Sequence, residues 1–169
     1  MAIALPIAAA VGLLVAGMDS ASQADPAPPA QATATQQSPL VGRWSLDVGR
    51  IPEKERPRSV TIDFSVSSDQ KWNTRVKIIR ANGSTMEGTS TAATDGVAVP
   101  AAGNMPFVDA VTLRQPSPDT LVMSLAKNGS PVSTRVYTVA KDGQSMTETI
   151  IWAGAKVPKL ETTYFNRIG

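Results

Sequence analysis

Arg135-Val136-Tyr137 carries a guanidinium and a phenol two residues apart, and on a β-strand that spacing puts both on one face. Side by side they could hold a carboxylate or a similar anionic head group, the guanidinium through charge-assisted hydrogen bonds and the phenol through its O–H. Pairing across the Asp142-Gly143 turn sets Glu148 opposite Tyr137 and Ile150 opposite Arg135. A carboxylate there competes with an anionic ligand for Arg135. The ordinary place for an Arg, Tyr and Glu cluster is the solvent-facing outer wall, and that placement is the expectation. Turned inward, Arg135, Tyr137 and Glu148 form a candidate ligand-binding set. Trp72 and Glu87 are added to it, because pairing across Asn82-Gly83 puts both on the face of Thr74, Val76 and Ile78, although Glu87 lies near a hairpin end where a carboxylate can reach water.

Catalytic chemistry is poorly served. The chain has no histidine and no cysteine, which excludes a Ser-His-Asp triad, a thiol nucleophile and the common zinc sites together. Paired carboxylates could still do acid-base work, and Glu87, Glu148, Asp109 and Asp63 are candidates by type, with a lyase or hydrolase assisted by Tyr137 as the corresponding reading. No spacing brings two of them together, and no residue is assigned as catalytic. An Asp-x-Asp-x-Asp-Gly calcium loop is missing from the sequence, so no metal and no cofactor is expected.

The elements that must position these side chains begin after the N-terminal stretch. Residues 3–16 are apolar and too few to span a bilayer, and Ser22-Gln23-Ala24 supplies small residues at −3 and −1. Residues 1–24 therefore read as a secretory signal peptide, with an uncleaved anchor as the alternative, and residues 25–39 as a disordered Pro/Ala/Gln/Thr spacer. Residues 40–169 make a single domain, long enough to bury a core without disulfides. The formal charge is +2, with no clustered basic run, so no nucleic-acid partner is expected. The resulting expectation is a periplasmic or secreted monomer with no stable membrane span once the signal is removed.

Turn chemistry divides the domain. Asn82-Gly83, Asn128-Gly129 and Asp142-Gly143 are hairpin signals, because both central positions of a type I′ turn need positive φ. Strands are expected at 41–48, 58–67, 70–80, 84–93, 108–114, 120–127, 131–140, 144–153 and 159–167, with a short one at 97–100. No segment of residues 40–169 has a helical period, so the fold class is all-β, an antiparallel up-and-down barrel. A two-residue turn at Asn128-Gly129 pairs Leu121 with Val136, Met123 with Thr134 and Leu125 with Val132, and the same face then collects Thr147, Thr149 and Ile151. The inner wall expected from this register is aliphatic and threonine-rich. The irregular loop 96–107 could lie over the barrel mouth as a lid.

Gly42-Arg43-Trp44 opens the first strand and Arg167 closes the last. Together with Ser45-Leu46-Asp47, Asp95-Gly96, Val99-Pro100, Gly103-Asn104, Lys127-Asn128-Gly129, and Lys141-Asp142-Gly143 with Met146-Thr147, this order resembles a group of small exported bacterial proteins of largely unassigned function. They are similar to lipocalins, fatty-acid-binding proteins and other calycin-like barrels. The resemblance spans nearly all of 41–168. It implies a barrel of about eight to ten strands, with Gly42, Trp44 and Arg167 as structural closure of one end. Fatty-acid-binding proteins hold a carboxylate with an Arg-x-Tyr pair, but Arg135 and Tyr137 lie two strands earlier than that pattern requires. The implied role is binding of a small hydrophobic or amphipathic molecule. The alternative is a non-catalytic cell-envelope structural or interaction module with a filled barrel.

Overall fold

The computed structural model describes residues 37–154 and 159–169; the expected signal peptide and most of the spacer lie outside them. Among the described residues eleven strands form: β1 Gly42–Leu46, β2 Ser59–Val66, β3 Trp72–Ile79, β4 Thr85–Ala92, β5 Val99–Pro100, β6 Ala102–Gly103, β7 Ala110–Ser117, β8 Thr120–Lys127, β9 Ser130–Val139, β10 Ser145–Trp152 and β11 Lys159–Arg167. Two short 3-10 turns, Val48–Arg50 and Glu53–Glu55, carry the chain from β1 to β2. All ladders are antiparallel, in the order β5-β7-β8-β9-β10-β11-β1-β2-β3-β4-β6. The fold is the all-β, up-and-down, nearly closed barrel that the turn spacing implies.

Closure is made by the connecting segment. β4 and β7 share no ladder of their own; the chain between them is bonded first to β7 and then to β4. Asp95 bridges Arg114, Val99 and Pro100 pair with Val111 and Ala110, and Ala102 and Gly103 then pair with Thr89 and Gly88. The Asn104 backbone N–H donates to the Glu87 carbonyl at 2.9 Å, while the Asn104 carboxamide accepts from the Glu87 N–H at 2.6 Å and donates to the Thr85 carbonyl at 3.1 Å. A side-chain amide thus satisfies backbone groups that an edge strand would leave open. Gly103 is required here: its φ is +118°, and a Cβ would sit 2.1 Å from the Glu87 carbonyl oxygen.

Two of the turns depart from the simplest pairing. Asn128 and Gly129 both have positive φ, 50° and 74°, and close a two-residue turn between Lys127 and Ser130. Two rungs later the ladder slips: Ala126 faces Pro131, but Leu125 faces Ser133, so Val132 is an extra residue in β9. Proline has no N–H to give to the ladder, which suits it to an irregularity of this kind. The slip corrects the expected register, pairing Leu121 with Tyr137 and Met123 with Arg135. At Asn82-Gly83 the loop holds three residues, Ala81–Gly83, closed by Arg80 N–H to the Ser84 carbonyl at 2.9 Å. Lys77 therefore faces Glu87, and Ile78 faces Met86. The Asp142-Gly143 pairing is as expected, with Glu148 opposite Tyr137 and Ile150 opposite Arg135.

One end of the barrel is packed solid. Trp44, Leu40, Leu113, Leu121 and Met146 are fully buried there, with Phe64 edge-on to Trp72 at 6.0 Å and to Tyr137 at 5.4 Å. Trp44 donates its indole N–H to the Leu40 carbonyl at 2.8 Å. Arg167 lies opposite Trp44 in the ladder, with its guanidinium 4.2 Å from the centre of the indole ring. Its Nε donates to the Gly143 carbonyl at 2.7 Å, Nη1 to the Val41 carbonyl at 2.8 Å, and Nη2 to the Pro39 carbonyl. Gly42 makes this possible, because a Cβ at its φ of +136° would come within 2.3 Å of Arg167 Nη1.

Candidate functional site

The other half of the barrel is not filled. Along each strand the inward side chains divide at mid-height between plug and cavity wall. On β8 Leu121 belongs to the plug, while Met123 and Leu125 line a cavity; on β3 Trp72 belongs to the plug, while Thr74, Val76 and Ile78 line it. The cavity measures about 100 Å³. Val60, Ile62 and Val111 complete the aliphatic wall, and Met105, Phe107 and Val108 cover it from the segment that joins β6 to β7. The expected lid loop thus supplies part of the wall, and its chain is tied into the barrel seam.

Arg135, Tyr137 and Glu148 line this cavity, which corrects the expectation that they face solvent. The cause is the extra residue at Val132. Side chains alternate with a period of two, so one added residue exchanges the faces of β9. Tyr137, Val139 and Met146 then point inward, and alternation carries Arg135 and Glu148 in with them. The threonine-rich face expected inside, with Thr134, Thr147 and Thr149, is the outer one.

Burial forces these charges to pair. Arg135 Nη1 donates to Glu148 Oε1 at 2.6 Å, with the Arg side chain 19 % and the Glu side chain 4 % exposed. Thr163 donates its hydroxyl to the other carboxylate oxygen at 2.8 Å. The Arg135 guanidinium lies 5.8 Å from the centre of the Trp152 ring, and Trp152 donates its indole N–H to Glu161 at 3.0 Å. Glu161 in turn pairs with Lys159, and these neighbours hold its carboxyl below the usual carboxylate range. Burial first, and the Glu148 charge second, push the Tyr137 phenol well above its ordinary range, so at neutral pH it is a neutral hydrogen-bonding group. The Arg135 Nε–H and the Thr74 hydroxyl are buried without a hydrogen-bond partner, each on a side chain that lines the cavity.

The remaining candidates do not join them. Trp72 is buried in the plug beside Phe64 and borders a groove at the opposite end, with Gln70, Thr94 and Gln115. Glu87 points outward and pairs with Arg75, because the three-residue loop reverses the face that a two-residue turn would give it. Asp63 pairs with Arg43 at 2.5 Å, and Asp109 accepts from the Asn128 N–H at 2.9 Å. Among the described residues no three acidic side chains gather as a metal site would need, and Glu148 is the one carboxylate lining the cavity. Sequence reasoning did not pick out Thr163, Trp152 and Glu161. Their signal was the spacing of Glu161 and Thr163, which puts them on the inner face of β11 opposite Ile150 and Glu148.

The sequence matches no protein-family model and no curated protein.

Proposed function

We propose that this chain is an exported, calycin-like barrel that binds a small amphipathic molecule without transforming it. The observation that carries the reading is a barrel packed at one end and hollow at the other, its hollow mainly apolar, with Thr74, Thr89, Ser90 and one cluster of Arg135, Tyr137 and Glu148 as the polar part of the lining. Ligand sites are typically built this way, with apolar walls and a few polar groups that orient the guest. Burying an ion pair in a barrel this small gives little or no net stability compared with apolar side chains, so its retention beside a cavity supports a binding role. Export is supported by the apolar run of residues 3–16 and by Ser22-Gln23-Ala24.

The cavity also sets a size. An apolar cavity of about 150 Å³ holds a benzene ring, so a hollow of about 100 Å³ suits a guest no larger than that ring, with on the order of four to six heavy atoms. Long acyl chains would require the Met105–Val108 cover to move. The test is native mass spectrometry of residues 25–169 purified from a bacterial periplasm, compared with the same protein refolded after denaturation and delipidation. A small molecule released on unfolding and taken up again on refolding is expected. A bare chain in every preparation, with no uptake from a panel of small amphipaths, would leave only a filled scaffold.

A further inference from the structure

We propose that the polar end of the ligand is uncharged and accepts hydrogen bonds, a carbonyl or ether-like oxygen, and that this site discriminates against carboxylates. The inference rests on the binding role proposed above and specifies its chemistry.

The charges of the site are already balanced. Arg135 is the cation of the cavity wall, and Glu148 occupies it at 2.6 Å from within the same wall. Glu161 lies close enough to feel the Arg135 charge and is itself paired with Lys159. A ligand carboxylate would enter beside the Glu148 carboxylate, with no free cation among the described lining residues to meet it, in surroundings where an unpaired charge is costly. An ammonium would meet the opposite problem in Arg135. What the site has spare is hydrogen-bonding capacity: Arg135 Nε–H and the Thr74 hydroxyl are buried and unpartnered. An unsatisfied buried donor is a standing cost that a ligand acceptor removes. A site built to bond an oxygen rejects the analogue that lacks it, because its donors then stay unpaired.

A series of probes with five or six heavy atoms tests this on the full mature chain: cyclopentanone, cyclopentane, cyclopropanecarboxylate and cyclopentylammonium at pH 7, followed by the methyl resonances of Met105 and Met123. Cyclopentanone is expected to bind at least tenfold more tightly than each of the others. Glu148→Gln, which frees Arg135, should narrow or reverse the preference over the carboxylate. Thr74→Val should weaken the ketone severalfold and leave cyclopentane unchanged. Carboxylate or ammonium binding as tightly as the ketone in the wild-type chain overturns the proposal while leaving a binding role intact. So does equal binding of ketone and cyclopentane. Perturbation by none of the four probes sinks the cavity-binding reading itself, and this inference with it. The wild-type ranking decides the matter even where a variant folds poorly.

Discussion

Leu125 lies opposite Ser133, one residue further along β9 than the Asn128-Gly129 turn alone would place it. That single offset puts Arg135 and Tyr137 inside the barrel. Deleting Val132 removes the offset and forces a choice between an intact turn and an intact core, since a one-residue slip turns every inward side chain of β9 outward. The deletion is expected to abolish the cooperative thermal transition followed by circular dichroism. A variant that melts cooperatively near the wild-type temperature would show that the register is not held by the extra residue.

The Arg135–Glu148 pair should behave as a unit. Removing one partner, as in Arg135→Leu, leaves a buried carboxylate uncompensated and is expected to cost about 3–5 kcal/mol in urea denaturation. The double variant Arg135→Leu/Glu148→Leu should be clearly more stable than Arg135→Leu alone, because an apolar pair replaces an ion pair without leaving a charge behind. Additive losses in the two single variants would contradict this.

Tyr137 predicts a loss of stability in base. Its pKa in the folded protein is raised well above the ordinary 10.0, so above about pH 10 the unfolded chain releases a phenolic proton that the folded chain retains. The contribution is therefore complete below that pH and declines as pH rises through the window above it. Denaturation measured from pH 8 to 11 should show a fall that Tyr137→Phe flattens. In a Tyr164→Phe background, phenolate absorbance should appear only together with unfolding. A phenolate signal near pH 10 in the folded state would refute the assignment.

Gly42 and Arg167 are coupled by space. Gly42→Ala introduces a Cβ within 2.3 Å of Arg167 Nη1 at a φ of +136°, with an expected loss of about 2 kcal/mol. In an Arg167→Ala background the clash is gone and only backbone strain remains, so the second cost should be smaller. A thermodynamic cycle measures the difference, and strict additivity would mean that the guanidinium does not hold the position seen here.

The seam of the barrel offers a separate test. Gly103→Ala would bring a Cβ within 2.1 Å of the Glu87 carbonyl and should loosen the β4–β6 contact. Amide exchange at Glu87 and Asn104, both hydrogen-bonded across that contact, is expected to speed up severalfold, with β9 and β10 protected as before. Unchanged exchange at Glu87 would show that the seam is closed by other means.

Much of the barrel follows from local chemistry that can be read residue by residue. Asn-Gly and Asp-Gly pairs adopt positive φ at little cost, so they mark where strands turn, and alternation of apolar and polar residues marks the strands. Gly42, Trp44 and Arg167 could be set together because they bracket the first and last strands, which an up-and-down barrel must pair to close. Arg135, Tyr137 and Glu148 were identifiable as one group, since the even loop at Asp142-Gly143 preserves the pairing of β9 with β10.

Which way that group faces was decided by the tertiary structure. Parity depends on whether a loop or strand holds one residue more, and the turn residues at Asn128-Gly129 and Asn82-Gly83 do not by themselves specify the extra residue at Val132 or the three-residue loop Ala81–Gly83. The alternative registers differ greatly in what they bury. Burying Tyr137 and Val139 beside Leu121 and Met146 requires the offset, and the charges of Arg135 and Glu148 are carried inward as a consequence, tolerable because each neutralises the other. Local sequence thus determined where the strands turn and which pairs could meet. The shared core, formed only when all the strands close on one another, selected the register and with it placed a balanced ion pair in the wall of a cavity.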